Sequence, residues 1–264
     1  MVIYSHHRLQ CFEQCPLKYK FSYIDKIEIT RENIEAFLGL RVHEVLEKLY
    51  KDLIKRKKNT LQDLLYYLND QWDKNWNESV IIVKKGPTKK DYIYKSRMYI
   101  TSYYQRYTPF DQGRTLGLEK RILIKLDESK RYKMQGFIDR LVETQKNCLE
   151  IHDYKTTQRL PSIKNLEEER QLSIYTLGVL EKYPNTTNID LVWHFLAFDK
   201  EIRSKRNQDT LLKQKKEMML LIDKIEKTED FEPSPSILCR WCEYQQICKK
   251  QPQKKNKQTK LKIN

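Results

Sequence analysis

The chain has 264 residues, enough for one enlarged domain with a real core. Apolar residues make up 39% and charged residues 33%, and 17 tyrosines and four tryptophans add aromatic mass, which argues against a disordered chain. The 51 Lys and Arg against 36 Asp and Glu leave a net charge of +15, which suits a polyanionic partner; DNA, RNA and an anionic membrane all satisfy charge alone, as does a Lys-rich soluble protein with no such partner.

Residues 1–10, MVIYSHHRLQ, hold no apolar segment of the secretory type, and no apolar run approaches the ~18 residues of a membrane span. The expectation is a cytoplasmic protein with no membrane partner. Its six cysteines are then thiols or metal ligands rather than a disulfide framework.

The opening segment reads as a helix stopped near Cys15-Pro16, because Pro lacks a backbone donor and restricts the residue before it. A strong helix follows, with Val42, Val45, Leu46, Leu49, Tyr50, Leu53 and Ile54 at 3.6-residue spacing and a basic cluster, Lys55 to Lys58, at its end. Residues 60–107 read as helical and accessory. Leu61, Leu64, Leu65, Leu68 and Trp72 form one stripe, KKGPTKK (84–90) breaks it, and 92–107 resume a helical pattern. The Lys-flanked loop is either a phosphate contact or an ordinary solvated loop.

Three strand-like runs come next, at 117–126, 132–143 and 148–155, with short connections that predict an antiparallel meander. A helix near 165–182, a strand over 189–198 and a long charged helix over 203–228 follow. A Pro-interrupted segment then leads to cysteines at 239–248, and the Lys- and Gln-rich residues 249–264 read as a flexible basic tail. The order is helix, three strands, helix, strand, with a helical insertion at about 59–110. That predicts an α/β domain with a mixed sheet.

Asp153 and Lys155 are two apart on a predicted strand and share its face with Leu149 and Ile151. An acid and a lysine ending an apolar row are costly unless paired, bound to metal or at an open edge. Asp139 lies 14 residues earlier, where a hairpin brings it beside Asp153. Two adjacent carboxylates repel unless a cation lies between them, and hard oxygen ligands suit Mg²⁺ or Mn²⁺. Such an ion polarises a phosphodiester, and Lys155 is placed to stabilise developing charge. The plain alternative is a salt bridge between Lys155 and one acid. Arg140 points to the opposite strand face. Glu119 has outward parity relative to Leu118 and offers a further carboxylate.

GFIDRL (136–141) and EIHDYKTT (150–157) resemble motifs II and III of the PD-(D/E)XK nucleases, in their RecB-like branch. GLRVHEVLEKLY (39–50) is similar to that branch's histidine motif, and QLSIY (171–175) to its Q-x-x-x-Y motif; all four stand in family order. The resemblance implies a restriction-endonuclease-like core. It also implies His43, Asp139 and Asp153 as metal ligands, Lys155 as the catalytic lysine, and Gln171 and Tyr175 as residues that support the site or touch the DNA strand. An imidazole ligand shifts preference toward Mn²⁺.

Cys239, Cys242 and Cys248 form C-x2-C-x5-C, three ligands that need a fourth from Cys11, Cys15 or Cys148. Cys148 begins a strand and reads as a packed thiol. CPLKYKFSY, from Cys15, resembles the N-terminal Cys-Pro motif of the iron–sulfur RecB-like nucleases, which include AddB and the CRISPR-associated exonucleases. That resemblance implies a [4Fe–4S] cluster on Cys15, Cys239, Cys242 and Cys248, with Cys11 spare; a Cys₄ Zn²⁺ site is the alternative.

The function expected is a Mg²⁺- or Mn²⁺-dependent deoxyribonuclease. By resemblance it is an exonuclease acting on single-stranded DNA or DNA ends in repair, recombination or CRISPR-type processing, with protein partners in a DNA-processing complex. Trp72, Trp76 and the tyrosines of 92–107 are aromatic candidates for base stacking, although core packing accounts for most of them. The alternative is a non-catalytic nucleic-acid-binding or assembly subunit with a Cys₄ metal site. One nuclease domain is expected over 1–248.

Overall fold

In a computed structural model of the protein, residues 2–248 are described; the tail expected over 249–264 lies outside the described residues. Strand β1 (Ile3–Ser5) leads into helix α1 (His6–Gln14), whose N-terminus is capped by Ser5 accepting from the Arg8 N–H. The expected stop at Cys15-Pro16 is present, but the chain re-enters a helix at once. Pro16 takes the first position of α2 (Pro16–Tyr19), where a missing N–H costs nothing, and a π-helical turn (Lys20–Ile24) extends it.

A short strand β2 (Glu32–Asn33) precedes α3 (Ile34–Ile54), which Asn33 caps. Helix α4 (Leu61–Asn75) opens on a reciprocal Thr60–Asp63 cap. Strand β3 (Val80–Ile81) pairs with β2, and α5 (Lys89–Tyr107) follows. The apolar stripe of α3 (Val42, Val45, Leu46, Leu49) packs with Leu64, Leu68, Trp72, Ile100 and Tyr103, so the expected helical insertion is a pair of helices laid on α3.

The sheet is built from β4 (Arg114–Lys125), β5 (Lys133–Gln145) and β6 (Cys148–Lys155), an antiparallel meander as expected. Helices α6 (Ile163–Glu167) and α7 (Arg170–Lys182) carry the chain over to β7 (Asn188–Phe195), parallel to β6. Antiparallel β8 (Lys200–Ser204) and helix α8 (Gln208–Glu226) complete this part. Leu149 and Ile151 join a core with α1, α7 and α8, while Tyr154 turns to the core under α3 and α5. The sheet is mixed, as the order of elements predicts.

Three local expectations need correction. The helix expected over 165–182 is interrupted: Glu169 caps a new helix by accepting from the Gln171 and Leu172 N–H groups. The strand expected over 189–198 ends at Phe195 in a 3₁₀ turn, closed by Asp199 in the left-handed region. The helix expected from residue 203 starts at Gln208, because 200–204 pair with β7 and Asn207 supplies the cap.

Beneath α5, His152 and His194 stack with ring centroids 5.0 Å apart and share a proton between Nδ1 and Nε2 at 2.7 Å. His152 Nε2–H donates to Glu150, which leaves its Nδ1 to accept from His194. Burial holds both imidazoles far below the ordinary histidine range. Burial also lowers His7, and His6 to about 4; only His43 is raised. Groups with depressed folded values bind protons on unfolding, so their stabilisation is present above about pH 6.5 and is lost as pH falls below it. The fully buried His152 and His194 each contribute about 1.4 kcal/mol per pH unit inside that window. Chemical denaturation at pH 7 and pH 5 is expected to show a marked loss at pH 5, and replacing His152 and His194 with Gln to flatten that dependence.

Candidate active site

On one side, β5 pairs with β4 through most of its length. On the other, β1 takes Lys133 to Gln135 and β6 takes Arg140 onward. Residues 136–139 therefore face a notch between β1 and the end of β6. Asp139 lies in this notch, and its Oδ2 accepts the Tyr154 N–H at 2.8 Å, taking the place of a ladder carbonyl. The alternation of β5 slips here: Met134 and Ile138 pack with the α7-side core, and so does Leu141, three residues on. Opposite, Glu119 of β4 has a left-handed backbone (φ 43°).

His43 reaches the notch from α3. Its Nε2 lies 2.8 Å from the Tyr154 carbonyl, which can only accept, so Nε2 carries a proton and Nδ1 is the nitrogen that offers a lone pair when the ring gives up its second proton, as on binding a metal. Nδ1 lies 3.7 Å from Asp139 Oδ2 and 3.8 Å from Glu119 Oε1, and these side chains offer ligand atoms all within 4.8 Å of one another. A histidine held through its other nitrogen by a carbonyl is the usual outer support of a metal-ligating imidazole. Asp139 is raised above the usual carboxylate range by burial and by the neighbouring Asp153 charge, against the pull of His43. Burial opposes charge on His43, but Asp139, Glu119 and the Tyr154 carbonyl outweigh it and raise the ring to about 9.

Asp153 is 2% exposed and stands outside that compact group of three, with Oδ2 2.7 Å from Lys155 Nζ. Lys155 is the partner of this oxygen, which takes no other hydrogen bond among the described residues. Lys155 Nζ donates to Gln171 Oε1 at 2.9 Å, and Gln171 Nε2 donates to Tyr175 OH at 2.8 Å. The two α7 residues thus hold the lysine from one side. Tyr175 lies over Gly136, where an added Cβ would stand 2.3 Å from its ring. Gly136→Ala is expected to cost about 1–3 kcal/mol in urea denaturation by displacing this ring.

Arg140 lies on the opposite face, as parity predicts, 2% exposed and 3.6 Å over the Tyr50 ring. Trp72 is fully buried, stacked with half-buried Trp76 against Phe37 in the core under α3. Sequence reasoning missed His6. Strand β1 brings its Nε2 to 3.8 Å from Glu169, and its buried Nδ1 has no hydrogen-bond partner among the described residues. A three-residue strand carries no periodic signal that predicts this.

Compared with protein families, residues 3–249 match the model of the PD-(D/E)XK nuclease superfamily. The chain belongs to that superfamily. A crystal structure of a "putative exonuclease" from Eubacterium rectale has a similar fold, with a TM-score of 0.54 at 11% identity over 95% of this chain and 91% of that one. The crystal structure of SSO0001 aligns over 92% of this chain and 96% of its own at 14% identity, with a TM-score of 0.35. No curated protein matches the chain. Nucleases of this superfamily use divalent metals, and the His43–Glu119–Asp139 group offers ligands for one. No helix among the described residues is long and apolar enough to cross a membrane.

In this nuclease Cys15, Cys239, Cys242 and Cys248 line one cavity of about 240 Å³ between α2 and the C-terminal segment. Ser234 N–H donates to Cys15 Sγ and Ser236 N–H to Cys239 Sγ, both at 3.4 Å. Lys18–Glu243 at 2.9 Å and Ser22 Oγ donating to Tyr244 OH at 2.9 Å tie the same two segments together. Cys11 is buried in the core, which pushes its thiol up to about 11, and Cys148 lies against Thr187 at the sheet end.

Proposed function

We propose that this PD-(D/E)XK nuclease is a RecB-like, Mg²⁺- or Mn²⁺-dependent deoxyribonuclease, an exonuclease on single-stranded DNA or DNA ends, formed as one domain over 1–248. The convergence of His43 Nδ1, Glu119 and Asp139 beside the buried Asp153–Lys155 pair carries this reading.

The donor set fits a divalent cation. Two carboxylates and an imidazole nitrogen face one point, and Asp139 is raised by burial and by the Asp153 charge beside it, a repulsion that a cation removes. His43, Glu119 and Asp139 would hold it, with Asp153 alongside, and it would supply Lewis acidity toward a phosphodiester. The Tyr154 peptide orients the site from both ends: its N–H fixes Asp139 and its carbonyl fixes the His43 tautomer. Lys155, steadied by Gln171, places a positive charge where negative charge grows on the phosphate.

For the cysteine cavity we propose a [4Fe–4S] cluster. Tetrahedral zinc with Zn–S of ~2.3 Å draws its sulfurs to roughly 3.8 Å from one another. The cysteine sulfurs here form no such tight group among the described residues, where only the His43–Glu119–Asp139 atoms gather within 4.8 Å. Wider spacing around a cavity suits a cluster, with the two N–H···S contacts as support. Anaerobically purified protein is expected to be brown, with broad absorption near ~400 nm that Cys239→Ala abolishes. Colourless protein carrying one zinc would replace this reading with a Cys₄ zinc site.

The nuclease reading is tested with end-labelled single- and double-stranded DNA in Mn²⁺ or Mg²⁺. Wild-type protein should shorten single strands from an end, and Asp153→Ala should not. Equal degradation by both, or none by either with the cysteine site loaded, would refute it.

A further inference from the structure

A groove of about 610 Å³ opens beside Lys155, and distant parts of the chain wall it. Lys84 comes from the KKGPTKK loop, Lys95 from α5, Arg159 from the segment after β6, and Trp241 from the 3₁₀ turn Ile237–Trp241. Trp241 stands between Cys239 and Cys242 and lines both this groove and the cysteine cavity. One acid, Glu35, also lines the groove and takes Lys84 at 3.1 Å. Lys95 lies over the Tyr92 ring, and neither it nor Arg159 is in an ion pair among the described residues.

The geometry points to a single-stranded DNA path in this groove, with Trp241 as a base-stacking platform and Lys95 and Arg159 as phosphate contacts leading to Lys155. This rests on the nuclease reading and extends it to residues outside the metal group and its supports. A cationic groove with a partly buried indole on its wall matches the way single strands are held: charges track the backbone while rings take base faces. In a duplex the base faces are hidden in the stack, so the indole selects unpaired bases. The cysteine site then has a second consequence, since the turn that carries Trp241 is fixed at both sides by cysteines of that cavity.

The test is fluorescence anisotropy of a labelled dT₁₅ strand with the whole, cluster-loaded protein in EDTA, at several salt concentrations. Trp241→Ala is expected to weaken binding roughly five- to hundred-fold, and Trp241→Phe to retain most of it. Lys95→Ala with Arg159→Ala is expected to reduce the slope of log K against log salt by about 1.4, about 0.7 for each phosphate contact. An unchanged affinity in Trp241→Ala, or an unchanged slope in the double variant, would overturn the path. Hydrolysis of bis-p-nitrophenyl phosphate by wild-type protein in Mn²⁺ reads the nuclease separately. Groove variants that weaken dT₁₅ binding support the path even where this small diester is not cleaved, an outcome that counts against the nuclease reading alone.

Discussion

Asp139→Asn is expected to abolish DNA hydrolysis while leaving the fold nearly as stable as wild type. Asp139 is the centre of the candidate metal group, and losing a Lewis acid worth several kcal/mol lowers the rate by about 10²–10³-fold or more. The amide keeps the structural contact, because its oxygen still accepts from the Tyr154 N–H. It also removes a buried charge that Asp153 opposes. Single-turnover cleavage paired with thermal unfolding checks both halves. A variant that cleaves DNA normally would contradict the role of Asp139, and one that fails to fold would contradict the account of its packing.

Lys155→Met is expected to lose activity and stability together. The lysine is the partner of the buried Asp153 carboxylate, and removing one partner of a buried pair costs about 3–5 kcal/mol. Removing a charge aimed at the reacting phosphate lowers kcat by about 10²–10³-fold. The double variant Asp153→Asn with Lys155→Met should recover most of the stability and none of the activity. Lys155→Arg is a poor rescue, since a planar fork does not reproduce a point charge seated between Asp153 and Gln171. Urea denaturation and cleavage assays on the four proteins separate the two effects.

These two residues also show how far the sequence reaches. Parity placed Asp153 and Lys155 on the face of Leu149 and Ile151, and the structure has them there, under α7. The hairpin that was to set Asp139 beside Asp153 is present, but the last β5–β6 pair is Arg140 with His152. The two acids therefore lie just past the ladder, in the notch left by β1. The compact group takes Glu119 in place of Asp153, because the left-handed Glu119 and the slip around Asp139 reset the alternation on which parity depends. Neither irregularity has a local signature in a run such as LEKRILIK. His43 stands on an amphipathic helix where only its motif distinguishes it from a packed histidine. The cysteine spacing left three candidates for a fourth ligand, and the structure sets Cys15 in the cavity while burying Cys11 in the core.

The most direct measurement is the anomalous scattering of Mn²⁺ in crystals of the protein. A peak is expected about 2 Å from His43 Nδ1 and from carboxylate oxygens of Asp139 and Glu119, and it should vanish in Asp139→Asn. A peak elsewhere, or none in crystals whose dissolved protein still cleaves DNA in Mn²⁺, would contradict the site.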